Sequence, residues 1–580
     1  MIHIPTGRGR RRRARKEWDM SDRKRVLRGV ALASAAALAL SACGTPDSGG
    51  DAGNGKEHRG GTLNVLIQSD FEHIDPQRTY TAAGESFDRL IAPALTAYKN
   101  APGKAGAEIT GDSATDTGSH NADNTVWTFT LRDGLKWQDG KAVTCDDFKY
   151  GVERSFSDLI TDGADYQKQY LVGGDSYKGI YLDPAGLPSI ICSGNKIAFH
   201  LNKSINDFNY TVTLPTFSAV RKDKDTKEKY DNNVFSYGPY QIDSYVRSKS
   251  IDLSRNKFWD QAKDPVRKNL PDKWAFAIGA DETVITDRML HDQGPDQSTI
   301  TLGANISPQQ VAQVQADPKL KSRLLSGPDG FTYYLSINNS KIKDVNCRRA
   351  YTYAIDKTTY LTALGGPAVG ELATSIIAPN LPAHRDSIDV YGLQKMPQGD
   401  PNKAKQLLAQ SPTCPRTITF DYRTGNTADD KAAAAIVAGM ARAGITVKLN
   451  PIARNVYIAT VGKPAAQHDM AINSWIADWP SGSAVISQLF DGRIISASGN
   501  PNRSQLNDSA INAGIDAAYK EPDNAKAQMM WGDLDEKVQQ DAAVIPLRFT
   551  KAYVLYGSKV TGAFLDPVYS DADLCNVGVS

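Results

Sequence analysis

The chain has little histidine: eight in 580 residues (His3, His58, His73, His120, His200, His291, His384 and His468), scattered without the short spacings that metal ligands take. It has six cysteines and no CxxC pair, so a structural zinc site is not expected. A GxSxG elbow, an HExxH helix and a GxxxxGK[ST] phosphate loop are all missing, which removes the commonest hydrolase and nucleotide-binding signatures. Acidic pairs such as Asp146-Asp147 fit a helix start better than a glycosidase dyad. No repeat of solenoid or propeller period occurs. No apolar run approaches the roughly 20 residues that span a bilayer; the longest candidate, Val30 to Ala42, is far shorter.

What remains is an ordinary globular composition, 41% hydrophobic and 23% charged, in a chain long enough for two or three lobes. The 24 tyrosines and 8 tryptophans are a mild excess, suited to a cleft that grips something both apolar and polar. The formal charge of +2 conceals an asymmetry. Eleven of the 67 Lys/Arg but only three of the 65 Asp/Glu fall in residues 1–42, leaving 56 basic against 62 acidic residues in the body. That body has no bias toward nucleic acid.

The N-terminus reads as an address. Arg23, Lys24, Arg25 and Arg28 precede the short apolar run, the layout of a secretory signal over residues 1–42. Met20 offers a second start from which the leader has ordinary length, so residues 1–19 read as an extension. No twin-arginine pattern abuts the apolar run, so general secretion is expected. The run closes on Leu40-Ser41-Ala42-Cys43, which resembles the bacterial lipobox; the resemblance implies a lipidated Cys43 anchored to the outer face of the cell membrane. Residues 43–60, rich in Gly, Asp and Ser, have almost nothing to bury and read as a flexible tether. Export permits disulfides. Of the five remaining cysteines at least one must stay unpaired, and the pairing that closes the shortest loops is Cys145–Cys192 with Cys347–Cys414, leaving Cys575.

Along the body, strand and helix signals alternate, giving an α/β fold class. Gly61 to Ile67 and Thr125 to Leu131 read as strands, and Thr144 caps a helix beginning CDDFKYGVER. Residues 85–98 predict a helix that Pro93 should shorten. Further helices are predicted at 348–364, 402–410, 428–443 and 525–539, and strands at 196–201, 250–254, 332–337, 417–422 and 445–449.

Six segments, in order, resemble the peptide/nickel class (family 5) of extracytoplasmic solute-binding proteins of ABC importers. They are Gly60-Gly61-Thr62-Leu63 with Ile74-Asp75-Pro76; Trp127 to Arg154; Ser236-Tyr237-Gly238-Pro239-Tyr240 with Leu253-Ser254-Arg255-Asn256 and Trp259; Cys347 to Ala350 with Ala354-Ile355-Asp356-Lys357; Asp400-Pro401 with Lys403 to Leu408; and Asn473 to Pro480. The resemblance implies a two-lobed, hinged periplasmic-binding-protein-like fold. Lobe one would take 57–98, 211–332 and 545–580, a subdomain 99–210, and lobe two 333–544, with a hinge near Tyr333–Asn338 and Ile545–Phe549. Few covalent crossings let such lobes rotate around a guest.

The same resemblance places Asp478 in the cleft as acceptor of a peptide's α-ammonium, with main-chain contacts from Tyr80 and Ala82 on lobe one and from Ser474 and Ile476 on lobe two. Trp475 and Trp479 would wall side-chain pockets, although core packing is an equal reading for each. The chain carries Asp478-Trp479-Pro480-Ser481 where relatives often carry Asp-Tyr and an acidic residue. The expected function is capture of short peptides and their delivery to the permease and ATPase subunits of an importer. No cofactor, no metal and no enzymatic activity are expected, and the receptor should be a monomer. Nickel chelates, oligosaccharides or opines remain alternative cargoes, the first through His73. A peptide-sensing lipoprotein without transport and an exported hydrolase are the other readings.

Overall fold

The computed structural model describes residues 58–425 and 427–580. The leader, Cys43 and the tether up to residue 57 lie outside the described residues. Among those described, no helix is long and apolar enough to cross a membrane.

Two large mixed sheets organise the chain. The first has five strands in the order Thr299–Leu302, Thr62–Ile67, Lys273–Ile278, Ser250–Arg255 and Tyr240–Val246. An interior strand, Thr62–Ile67, pairs in parallel on both sides, with Lys273–Ile278 and with Thr299–Leu302. A strand so placed is buried on both faces and must be nearly all apolar, which the run LNVLI satisfies.

The second sheet has six strands in the order Glu371–Leu372, Val544–Leu555, Leu324–Ile337, Met470–Trp475, Thr417–Thr424 and Thr446–Ala453. Its apolar face is covered by the helices Val345–Ala354, Lys357–Leu364, Pro401–Gln410 and Thr427–Arg442, around a core that includes Leu335, Ile337, Phe420, Ile436 and Leu547. A smaller four-stranded sheet joins Ser119–His120, Val126–Thr130, Lys196–His200 and Ile190–Ser193.

The long strands Leu324–Ile337 and Val544–Leu555 pair antiparallel along their length, with a register shift between Pro328 and Thr332. Gly330 stands in that shift with φ +77, a left-handed conformation that costs an L side chain about 1–2 kcal/mol. Gly327-Pro328-Asp329-Gly330 reads as a turn from local sequence, which is why only Thr332 to Ile337 was expected as strand. Here tertiary pairing carries the strand through.

Two expected helices differ from those observed. The predicted helix over 85–98 runs instead over Ala82–Ile91 and is followed by a strand, Thr96–Tyr98; Pro93 lies in the break, where its ring cannot continue a helix. The predicted helix over 348–364 is two helices, Val345–Ala354 and Lys357–Leu364, because Asp356 caps the second by accepting the Thr359 N–H at 2.9 Å.

Cys145 is bonded to Cys192 and Cys347 to Cys414, while Cys575 is a buried free thiol. The first bridge ties the helix Cys145–Arg154 to the four-stranded sheet; the second ties the helix Val345–Ala354 to the segment leading into Thr417–Thr424. The carboxylate of Asp344 lies close to the Cys347–Cys414 sulfurs, but bonded sulfurs have no thiolate to offer a metal.

Candidate functional site

The site is assembled where the strand Met470–Trp475 ends. That strand is parallel to Thr417–Thr424 and antiparallel to Leu324–Ile337, with Ser474 opposite Tyr333 and Trp475 opposite Thr332. The carboxyl ends of parallel strands are where open α/β sheets leave a crevice. Pairing with Thr417–Thr424 covers only Met470 and Ala471, so Ser474 lies on a part of the strand with no strand neighbour on that side. The chain then bends through Ile476 to Gly482 before the helix Ser483–Phe490.

That bend is held from behind. The Trp479 indole N–H donates to Asp207 Oδ2 and to Ser483 Oγ, both at 3.1 Å, and Ser483 also donates to Asp207. Gly482 N–H donates to Gln528 at 3.0 Å, and the Trp475 indole donates to the Ala484 carbonyl at 2.9 Å. Trp479 is 0% exposed and meets the Tyr166 ring edge-on at 4.8 Å, so it braces the bend from within the core. Trp475 and Ile476 are half-buried.

From the other side comes the segment leading into the helix Ala82–Ile91. Its course is set by a buried ion pair: Arg154 donates two hydrogen bonds to Asp75, at 2.8 and 2.6 Å, both side chains being inaccessible to solvent. Asp231 adds to this by accepting the backbone N–H groups of Ile74 and Asp75. The Ile74-Asp75-Pro76 motif and Arg154 are thus one structural unit, and its product is the position of Tyr80. Thr81 caps the helix through Gly84 N–H, and Ala82 is the first helical residue. His73 contacts Asp231 at 2.8 Å through Nδ1 and lies 3.4 Å from Asp162 through Nε2, so it belongs to the same structural knot.

These parts converge on Asp478. Tyr80 Oη donates to its Oδ2 at 3.0 Å, and Tyr166 Oη donates to the same oxygen. Among the described residues Asp478 has no ion pair. Desolvation pushes its carboxyl up to about 6, opposed by the two phenol hydrogen bonds. Burial and the Asp478 charge push Tyr80 and Tyr166 well above the ordinary phenol value, which keeps both as donors. Tyr80 is nevertheless 40% exposed, so the cluster reaches the surface of the protein. A partly desolvated carboxylate held by neutral donors is a chemically suitable partner for a cation.

Of the expected residues, the structure brings Tyr80 and Asp478 together and places Trp475, Ser474 and Ile476 on the approach to them. Two contributors were missed in sequence. Tyr166 sits in a short helix, Tyr166–Tyr170, in a region with no distinctive motif. Glu85 lies on the helix after Tyr80; burial, and next the nearby Asp478 charge, push its carboxyl pKa well up.

The class of protein to which this fold belongs comes from the comparisons with known proteins. Residues 108–496 match the family described as bacterial extracellular solute-binding proteins, family 5, and the chain belongs to that family. It is 25% identical over 461 residues to the periplasmic oligopeptide-binding protein OppA of Salmonella typhimurium, covering 74% of this chain and 77% of that protein. It is 23% identical over 463 residues to the oligopeptide-binding protein OppA of Bacillus subtilis, covering 76% of this chain and 80% of that one. Among solved structures, the clavulanic acid biosynthesis oligopeptide binding protein 2 superposes with a TM-score of 0.86 at 30% identity, over 92% of this chain and 99% of that one. The Helicobacter pylori DppA complex with the peptide STSA superposes at 0.69 and 20% identity, over 90% and 99% respectively, and speaks for the fold. The fold is therefore the two-lobed α/β architecture of periplasmic binding proteins, and the chain is a binding protein, not an enzyme.

Proposed function

We propose that this chain is the receptor of an ABC importer for short peptides, in which Asp478 holds the peptide's α-ammonium. The observation that carries this reading is the Asp478 carboxylate itself: half-buried, pushed up by desolvation, bonded only to the Tyr80 and Tyr166 hydroxyls, and without a cation among the described residues. A peptide N-terminus satisfies it, and the free strand edge at Ser474 and Ile476, with the main chain of Tyr80 and Ala82 opposite, accommodates a backbone that adds like a strand. Affinity from main-chain contacts tolerates many sequences. Relatives named as oligopeptide-binding proteins support the same cargo.

In this reading lobe one comprises 57–98, 211–332 and 545–580, with the subdomain 99–210, and lobe two comprises 333–544. The paired strands Leu324–Ile337 and Val544–Leu555 carry the hinge. Cys43 anchors the receptor by its lipid on the outer face of the membrane, where it works as a monomer and hands peptides to the permease and ATPase subunits. The involvement of His73 with Asp231 weighs against a nickel-chelate cargo held through that residue.

Native mass spectrometry of the purified protein tests the cargo. The expected result is co-purifying peptide masses of about 2–6 residues; a single sugar or a metal chelate would replace the peptide reading with one of its alternatives.

A further inference from the structure

The two segments whose phenols meet on Asp478 are also fastened to each other away from the site. Tyr80 follows the segment from His73 to Thr79. Tyr166 follows an irregular stretch, 157–165, between the helices Cys145–Arg154 and Tyr166–Tyr170. Such a stretch has no hydrogen-bond ladder of its own to fix the residue it leads to.

Asp162 makes the fastening. Its carboxylate lies 3.4 Å from His73 Nε2 and 3.6 Å from Arg78 Nη2. Arg78 Nε also donates to the Thr161 carbonyl at 3.2 Å, and a Cβ on Gly163 would collide with the Gln77 carbonyl. Three consecutive residues, Thr161 to Gly163, thus lie directly against Gln77 and Arg78. Asp162 is held there at φ +78, a conformation rare for a residue with a side chain. Its side chain is 57% exposed, so burial does not impose that backbone. Strain of this kind persists where the surroundings over-determine it. The Thr161 hydroxyl, and after it the His73 and Arg78 charges, hold the Asp162 carboxyl below the usual carboxylate range. His73 is fixed in turn by Asp231, 2.8 Å from Nδ1; a ring carrying both protons satisfies the two carboxylates at once.

We infer that Asp162 is a positioning residue of the peptide site: its clasp with His73 and Arg78 makes Tyr80 and Tyr166 move as one body, and the paired phenols orient Asp478. Both phenols donate to Oδ2, which leaves Oδ1 for the guest's cation. Two donors free to move separately would let the carboxylate turn. The inference rests on the peptide reading above, in which Asp478 accepts the α-ammonium. Asp162 acts through the phenols.

The test is calorimetric titration of the whole chain with Ala-Ala-Ala. Asp162→Asn removes the charge and keeps a residue that tolerates a left-handed backbone. It should weaken binding at least about fivefold, and Arg78→Gln, which cuts the clasp from the other side, should do the same. The deciding readout is a double variant. Adding Asp162→Asn to Tyr166→Phe should weaken binding less than about twofold beyond Tyr166→Phe alone, because the clasp acts through that phenol. A residue that only supported the fold would multiply its effect in both backgrounds. Binding by Asp162→Asn within about twofold of wild type, or losses that multiply, would overturn the inference. The peptide reading survives either result if Asp478→Asn binds the tripeptide weakly. No binding by wild type, or undiminished binding by Asp478→Asn, would overturn both.

Discussion

The phenol of Tyr80 donates a 3.0 Å hydrogen bond to the carboxylate of Asp478, a residue 398 positions further along the chain. Tyr166 reaches the same oxygen across 312 positions. Three segments with little in common locally therefore meet at one acidic atom. Neighbouring contacts reinforce the meeting: Asn206 donates to the Ala518 and Glu521 carbonyls at 3.0 and 2.6 Å, and Ser204 donates to the Tyr519 carbonyl at 3.1 Å.

The Asp478 carboxyl should make binding pH-dependent. Its folded value of about 6 stands above the unfolded value of about 3.9. This group therefore favours the empty folded protein fully below about pH 4, and that contribution is lost as the pH rises through 6. Peptide binding needs the ionised form, so affinity should fall below pH 6 by up to about tenfold per unit. Asp566 and Asp571 are pushed up to about 7 and titrate nearby. The difference between wild type and Asp478→Asn isolates the group, in thermal scans for stability and in titrations for affinity. Parallel pH profiles for the two proteins would remove Asp478 from the account.

Asp207 should matter through packing rather than through the ligand. Asp207→Ala leaves the buried Trp479 indole with Ser483 alone and severs the tie between the segments around 207 and 483, for a loss of about 1–3 kcal/mol. Urea unfolding should show a lower midpoint. A midpoint within error of wild type would mean that the bend carrying Asp478 is held by other contacts.

The disulfides close loops of 47 and 67 residues, so each restricts the unfolded chain by up to about 4 kcal/mol. Reduction should lower the thermal midpoint markedly. Cys575 should behave differently: its thiol is buried and its pKa raised by that burial, so a thiol reagent should label it only on unfolding. Rapid labelling of Cys575 in the native protein would contradict its placement.

Gly330→Ala should cost about 1–2 kcal/mol, since φ is +77 there and an added Cβ would lie 3.3 Å from Ile476 Cγ1. Because Ile476 borders the site, peptide affinity should fall along with the melting temperature. A fall in stability alone would separate the hinge strands from the ligand.

Much of this fold is legible locally. Thr144 and Asp147 form a reciprocal capping box, which four letters of sequence announce. The run Thr62–Ile67 is mostly apolar because it is an interior strand paired in parallel on both sides. Asp478 stands out through the motif that the family resemblance supplies. The remainder is set by contacts that no window of sequence contains. Tyr166 is one tyrosine among 24, and nothing near it foretells a carboxylate 312 residues away. Glu85 reads as an ordinary first-turn acid of a helix, favoured there by the dipole, and only its burial near Asp478 sets it apart. Trp479, read as either pocket wall or core, lies in the core and is anchored by Asp207, 272 positions earlier.

Asp478 is proposed to accept a peptide's positive terminus. Calorimetric titration with a short peptide in free and N-acetylated forms tests it most directly, with wild type and Asp478→Ala side by side. Breaking a buried charge pair costs about 3–5 kcal/mol, so acetylation should weaken wild-type binding by on the order of a hundredfold to a few thousandfold. The free peptide should bind Asp478→Ala about as weakly. Equal affinity of wild type for the two forms of the peptide would contradict the claim.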